Sequence, residues 1–187
     1  MISLLIGLAV IALAIFALYN GLIAKRVATE NAWSQIDVQL KRRHDLIPNL
    51  VETVKGYASH EQETLQKVIQ ARNSAISAGK DQSLAAQGQA ENMLSGALKQ
   101  IFALAESYPD LKANQSFQQL QEEISSTENR ISFSRQHYND SVAVYNTAIQ
   151  QIPAKFIADF AGFEKREFFE VDADQKAAMQ EPPQVSF

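Results

Sequence analysis

Residues 41–61, KRRHDLIPNLVETVKGYASHE, decide how this chain folds. A basic cluster, a histidine and a proline stand in a stretch whose apolar residues keep helical spacing. Trp33, Leu40, Ile47 and Val54 fall seven apart, and Ile36, Arg43, Leu50 and Tyr57 form the interleaved row. Two such rows make an a/d seam, here broken at Arg43. Pro48 has no N–H to bond the His44 carbonyl, which inside a helix costs about 3 kcal/mol. The apolar spacing still runs from Leu40 through Ile47 to Val54, so the stretch predicts one continuous helix bent at Pro48. The freed His44 carbonyl then needs a donor, from Asn49 or from an arginine. Lys41, Arg42, Asp45, Asn49 and Glu52 lie off the seam. Arg43 lies in it, with its stem expected to pack and its head to reach out to water.

Downstream, Ser59 and Gln62 fit a capping box for a second helix, with Glu61 and Glu63 in its first turn. Its apolar side reads Leu65, Val68, Ile69, the stem of Arg72, and Ile76, and Gly79 reads as its C-cap. Ser83 is placed to cap a third helix with a seam of Ala90, Leu94, Ala97, Ile101, Leu104 and Tyr108. Pro109 ends it, because the residue before a proline is biased away from helix. A fourth helix runs from about Asn114 to Ile152, with Phe117, Leu120, Ile124 and Thr127 opening a long three-four row. Alternating β-branched runs and hairpin turns are nearly absent. The fold class predicted is all-α, an antiparallel bundle of about four long helices behind an N-terminal transmembrane helix.

Upstream, the run from Ile2 to Ala24 carries no charge. At 1.5 Å per residue it extends roughly 34 Å, enough to cross a hydrocarbon core of about 30 Å. A cleaved signal peptide has a basic start and an apolar stretch of about 7–15 residues. Here no Lys or Arg precedes the run and the run is longer, so an uncleaved anchor is expected. Lys25 and Arg26 follow it directly, and the positive-inside rule then leaves the bundle in the cytoplasm. Ser3, Gly7, Ala14, Ala17 and Gly21 form a stripe of small residues that would let spans approach closely.

The expected organisation is an anchor over 1–24, a long-helix bundle over 25–152, and a short amphipathic helix with an extended tail over 153–187. The helix is PAKFIADFAGF, with Pro153 at its first position and Gly162 near its end. Phe156, Ile157, Phe160 and Phe163 make its apolar face. That face is expected to dock on the bundle's own end, since large apolar patches rarely stay exposed. Lipid or a neighbouring subunit are the alternatives. Phe187 closes an extended tip behind a double proline.

The composition excludes several classes of chemistry. The 187 residues contain no cysteine, so disulfides, thiolate metal sites and a cysteine nucleophile are absent. A formal net charge of -4 without a strong single-sign field argues against nucleic acid. His60-Glu61-Gln62-Glu63-Thr64 lacks the second histidine of a zinc-protease helix. None of His44, His60 and His137 has a glutamate three residues before it, as di-iron bundles require. No catalytic, metal or cofactor residue is assigned.

Residues 31–72, from NAWSQIDVQLKRRHDLIPNL through QAR, resemble the signature of the LemA family. Ala161 to Phe163, Arg166 to Glu170 and the final PPQVSF resemble its tail. The resemblance implies a bacterial cytoplasmic (inner) membrane protein with one span, a short external N-terminus and a long-helix bundle inside the cell. It also implies a non-enzymatic role, with relatives associated with membrane stress, membrane metalloproteases and the shaping of magnetosome membranes. Arg43, His44, Asp45, Pro48, Asn49, Tyr57, Glu61 and Arg72 match the motif and are read as interaction or fold-defining positions. Phe156, Phe160, Phe163 and Phe187 join them as candidates. The expected function is a membrane-anchored scaffold or adaptor, partnered by the lipid bilayer and by a membrane protease or other membrane protein. The alternative is a self-assembling homo-oligomeric coat or organiser of membrane shape.

Overall fold

The computed structural model describes residues 1–80 and 83–170. Among them it has six helices and no strand: α1 (Ile2–Lys55), α2 (Gln62–Lys80), α3 (Leu84–Ala105), α4 (Pro109–Lys112), α5 (Gln115–Ala148) and α6 (Ala154–Ala161). The all-α class is the one expected, with four long helices and two short ones. Helix α1 continues through Pro48 without a break. From Met1 to Ala17 every residue is exposed, and α1 is the one described helix long and apolar enough to cross a membrane.

Local signals set most of the helix ends. Ser83 caps α3 by accepting from the Ala86 N–H at 3.3 Å, and Asn114 caps α5 by accepting from the Phe117 N–H at 3.0 Å. Several ends differ from expectation: α5 stops at Ala148 rather than Ile152, α3 stops at Ala105, short of Tyr108, and Pro153 precedes α6 rather than opening it. Helix α2 starts at Gln62, so Glu61 rather than Ser59 precedes its first turn. It also runs through Gly79 to Lys80. A glycine inside a helix costs about 1 kcal/mol and does not by itself end it. The left-handed cap is instead Gly162, with φ 71°, where α6 ends.

The chain divides into two compact units. One comprises Gln39–Arg130 together with Phe169 and Glu170. Its core takes Ile47, Leu50 and Val54 from α1, Leu65, Val68 and Ala75 from α2, Leu94 and Ile101 from α3, and Phe117 and Ile124 from α5. Ile69 is exposed and Ala75 takes the core position, because the inward row on α2 is Leu65, Val68, the half-buried Arg72 and Ala75, at spacings of three and four. Tyr57 lies beyond the end of α1 and leaves the seam; its hydroxyl accepts from Asn114 Nδ2 at 2.9 Å.

The other unit comprises Met1–Val38 and Ile131–Phe168. Here Leu22 of α1 packs with Tyr145, Ala148 and Ile149 around the end of α5 and with Ala158 of α6. Trp33 meets Tyr138 edge to face at 5.3 Å. After α6 the chain runs back along α5. Tyr145 and Tyr138, two helical turns apart, donate to the backbone carbonyls of Glu164 at 2.9 Å and Glu167 at 3.0 Å. Asn146, next to Tyr145, holds the Arg166 backbone from both sides, at 2.9 Å each. The Arg166 guanidinium pairs with Glu30 at 2.8 Å. Burial pushes both phenols above the usual tyrosine range.

Candidate functional site

The basic cluster of α1 is split by the helix. Lys41, Arg42 and Asp45 face water, whereas Arg43 and His44 turn inward. The Arg43 side chain is only 2% exposed, which corrects the expectation that its head reaches solvent. A buried guanidinium needs anions, and two helices bring them. Glu91 of α3, itself buried, places Oε2 at 3.7 Å from Arg43 Nη1. Glu128 of α5 lies closer, at 2.9 Å. Arg43 Nη2 donates to Ser95 Oγ at 2.6 Å. The planar fork of arginine suits such a three-sided clasp better than a lysine would.

His44 completes the network. Its Nε2 lies 2.8 Å from Glu91 Oε1. With the carboxylate accepting, Nε2 is the protonated nitrogen. The backbone carbonyl of His44, orphaned by Pro48, accepts from Arg72 Nε at 2.7 Å. An arginine is therefore the donor, and it comes from α2 rather than from α1.

Sequence reasoning missed Glu91, although a signal was present. Glu91, Leu98 and Ala105 fall seven apart beside the seam of α3, and all three are buried. A glutamate in one buried row answers the arginine in another. Asp45, Pro48 and Asn49 are exposed and are not brought into the network. His60 and His137 are exposed too. Among the described residues no three His, Cys, Asp or Glu side chains gather as a metal site would require. The clasp links α1, α2, α3 and α5 by charge, beside a cleft of about 340 Å³ whose lining includes Lys99, Phe102 and Asn129.

The phenylalanines of α6 also separate. Phe163 is half-buried, edge to face with Tyr19 at 5.8 Å. Phe156 and Phe160 are 66% and 95% exposed, so they do not dock on the chain as expected. The inward face of α6 is Ala154, Ile157 and Ala158, spaced by three and four, which leaves Phe156 and Phe160 on a different side. Phe187 lies outside the described residues.

An all-α chain with one exposed apolar helix, ending in a charge-clasped bundle, defines a helical membrane-associated protein. The LemA family matches residues 32–187, and the chain belongs to that family. It is 31% identical over 163 residues to Protein LemA of Metamycoplasma hominis, covering 83% of this chain and 73% of that protein. It is 25% identical over 174 residues to the Magnetosome protein MamQ of Magnetospirillum gryphiswaldense, covering 81% of this chain. The chain spans 64% of the length of that MamQ.

Proposed function

We propose that the protein is a non-enzymatic scaffold or adaptor, anchored by an uncleaved single span in the bacterial cytoplasmic membrane, with its bundle on the cytoplasmic side. The continuity of α1 carries this reading. The same helix that supplies the apolar segment supplies Ile47, Leu50 and Val54 to the bundle core, so a partner bound by the bundle is held to the bilayer. Lys25 and Arg26, directly after the apolar run, support the orientation. The clasped charges act on the fold: they join four helices and leave other surfaces for partners. One such surface is a groove of about 420 Å³ on α2 and α3, lined by Ala71, Met93, Gly96 and Ala97 together with Lys67, Gln70, Ser74 and Gln100. Its small residues suit an apolar side chain of a membrane protease or another membrane protein.

A second reading, self-assembly into an organiser of membrane shape, is motivated by the stripe of small residues Ser3, Gly7, Ala14, Ala17 and Gly21 in the apolar helix. Photo-crosslinking in living cells, with the reactive residue at Met93, separates the two. Capture of a different protein supports the adaptor and names its pathway. A ladder of self-crosslinks supports the organiser. A probe that captures neither argues against both.

A further inference from the structure

The reading of α1 as a membrane span leaves α6 without a role, and its geometry supplies one. Counting from Ile2 at 1.5 Å per residue, Leu22 lies roughly 30 Å along the helix, where the hydrocarbon core ends. Helix α6 packs at that level, with Ala158 against Leu22 and Phe163 against Tyr19. It presents three faces. Ala154, Ile157 and Ala158 turn toward α1 and α5. Lys155 and Asp159 pair with each other at 3.0 Å on a second, polar face. Phe156 and Phe160, one turn apart, occupy the third, and Ile152 stands exposed just before the helix.

We infer that α6 is an interfacial helix, held by its tertiary contacts at the membrane surface so that Phe156, Phe160 and Ile152 enter the boundary between headgroups and acyl chains. A free helix of eight residues would be marginal in water and weak on lipid. Here α1 and α5 already fix its position, so only the side chains need to insert. Tyr19 beside Phe163 belongs to the aromatic level of such a boundary. Charge agrees with the lipid as occupant. Lys25 and Arg26 follow the span, and a cleft of about 330 Å³ beside the end of α6 is lined by Arg26, Lys165 and Arg166 together with Glu164, the two arginines also sharing Glu30 at 3.2 and 2.8 Å. With Glu30 and Glu164 set against Lys25, Arg26, Lys165 and Arg166, a basic excess is left at that depth for the phosphates of anionic headgroups.

The absence of cysteine makes the test direct. Single cysteines at positions 152, 155, 156, 159 and 160, and at 13 within the apolar run, would each be spin-labelled in the full chain. The chain would be reconstituted in phosphatidylcholine–phosphatidylglycerol vesicles. Labels at 156 and 160 are expected to show a severalfold higher ratio of oxygen to water-soluble-nickel accessibility than labels at 155 and 159, approaching the value at 13. If 13 reads as lipid while 156 and 160 read as water, the interfacial helix is overturned and the span stands. Dipolar broadening at 160 alone, with no lipid signal, would overturn it in favour of a second copy of the chain. If 13 also reads as water, the span and the interfacial helix fall together.

Discussion

Removing Glu91 tests whether the clasp holds the bundle. In Glu91→Ala, His44 Nε2 loses its acceptor at 2.8 Å. A hydrogen bond to a charged group contributes about 1.5–3 kcal/mol, and a buried donor left unpaired sits at the upper end. Arg43 loses a carboxylate at 3.7 Å but keeps Glu128 and Ser95. Its share is therefore well below the roughly 3–5 kcal/mol of a buried charge stripped of its partner. The expected total is about 3 kcal/mol. Glu128→Ala removes the shorter ion pair, but its side chain is 49% exposed, so water reaches Arg43 once it is gone and the expected cost is about 1–2 kcal/mol, below that of Glu91→Ala. Arg43 Nε and Glu91 Oε2 have no hydrogen-bond partner among the described residues, so the clasp is not fully satisfied. The triple variant Arg43→Met/His44→Leu/Glu91→Leu should accordingly return close to parental stability, as apolar replacement of a buried ionic cluster often does. Urea unfolding of the full chain in detergent, followed by far-UV circular dichroism, measures all three. If Glu91→Ala costs no more than Glu128→Ala, the longer but more deeply buried contacts do not dominate and the reasoning fails.

Three other expectations follow from single contacts. Arg72→Met should destabilise the bundle by about 1–2 kcal/mol by orphaning the His44 carbonyl; in a Pro48→Ala background, where residue 48 regains an N–H, a double-mutant cycle should show most of that cost gone, and strict additivity would count against the contact. An added Cβ at Gly88 would lie 2.5 Å from the Glu170 carbonyl oxygen, so Gly88→Ala should speed amide exchange around Phe169 and Glu170, and unchanged protection there would refute the close approach. Tyr138 and Tyr145 have raised folded-state values, so their stabilisation is intact below the unfolded value of about 10 and lost as pH rises above it. A titration at 295 nm should accordingly show a late tyrosine phase that shrinks in Tyr138→Phe and Tyr145→Phe, and a curve unaltered by both variants would contradict it.

Local physics is legible residue by residue. Ser83 and Asn114 begin helices because a short side chain can accept an end-of-helix N–H wherever it stands. The seven-residue rows of α1 mark Leu40, Ile47, Leu50 and Val54 as core because burial follows helical period. The uncharged run from Ile2 marks a helix that water would not cover. Pro48 even announced a carbonyl in need of a donor.

Partners distant in the chain were another matter. Periodicity says that Arg43 faces inward, but whether its charge meets water or a carboxylate depends on which residues other helices bring. Glu91 and Glu128 arrive 48 and 85 positions later. The donor for His44 came from Arg72 by the same kind of meeting. On α6 the pattern grouped four apolar residues on one face, whereas packing assigned Ile157 and Phe163 inward and left Phe156 and Phe160 out. By itself the sequence determined the apolar N-terminal helix, the other long helices, the caps at Ser83 and Gly162 and the inward row of α1, because those depend on neighbours within a few turns. Only the tertiary structure decided which charges are neutralised and which aromatics remain exposed, because both depend on what surrounds a side chain once distant segments have packed.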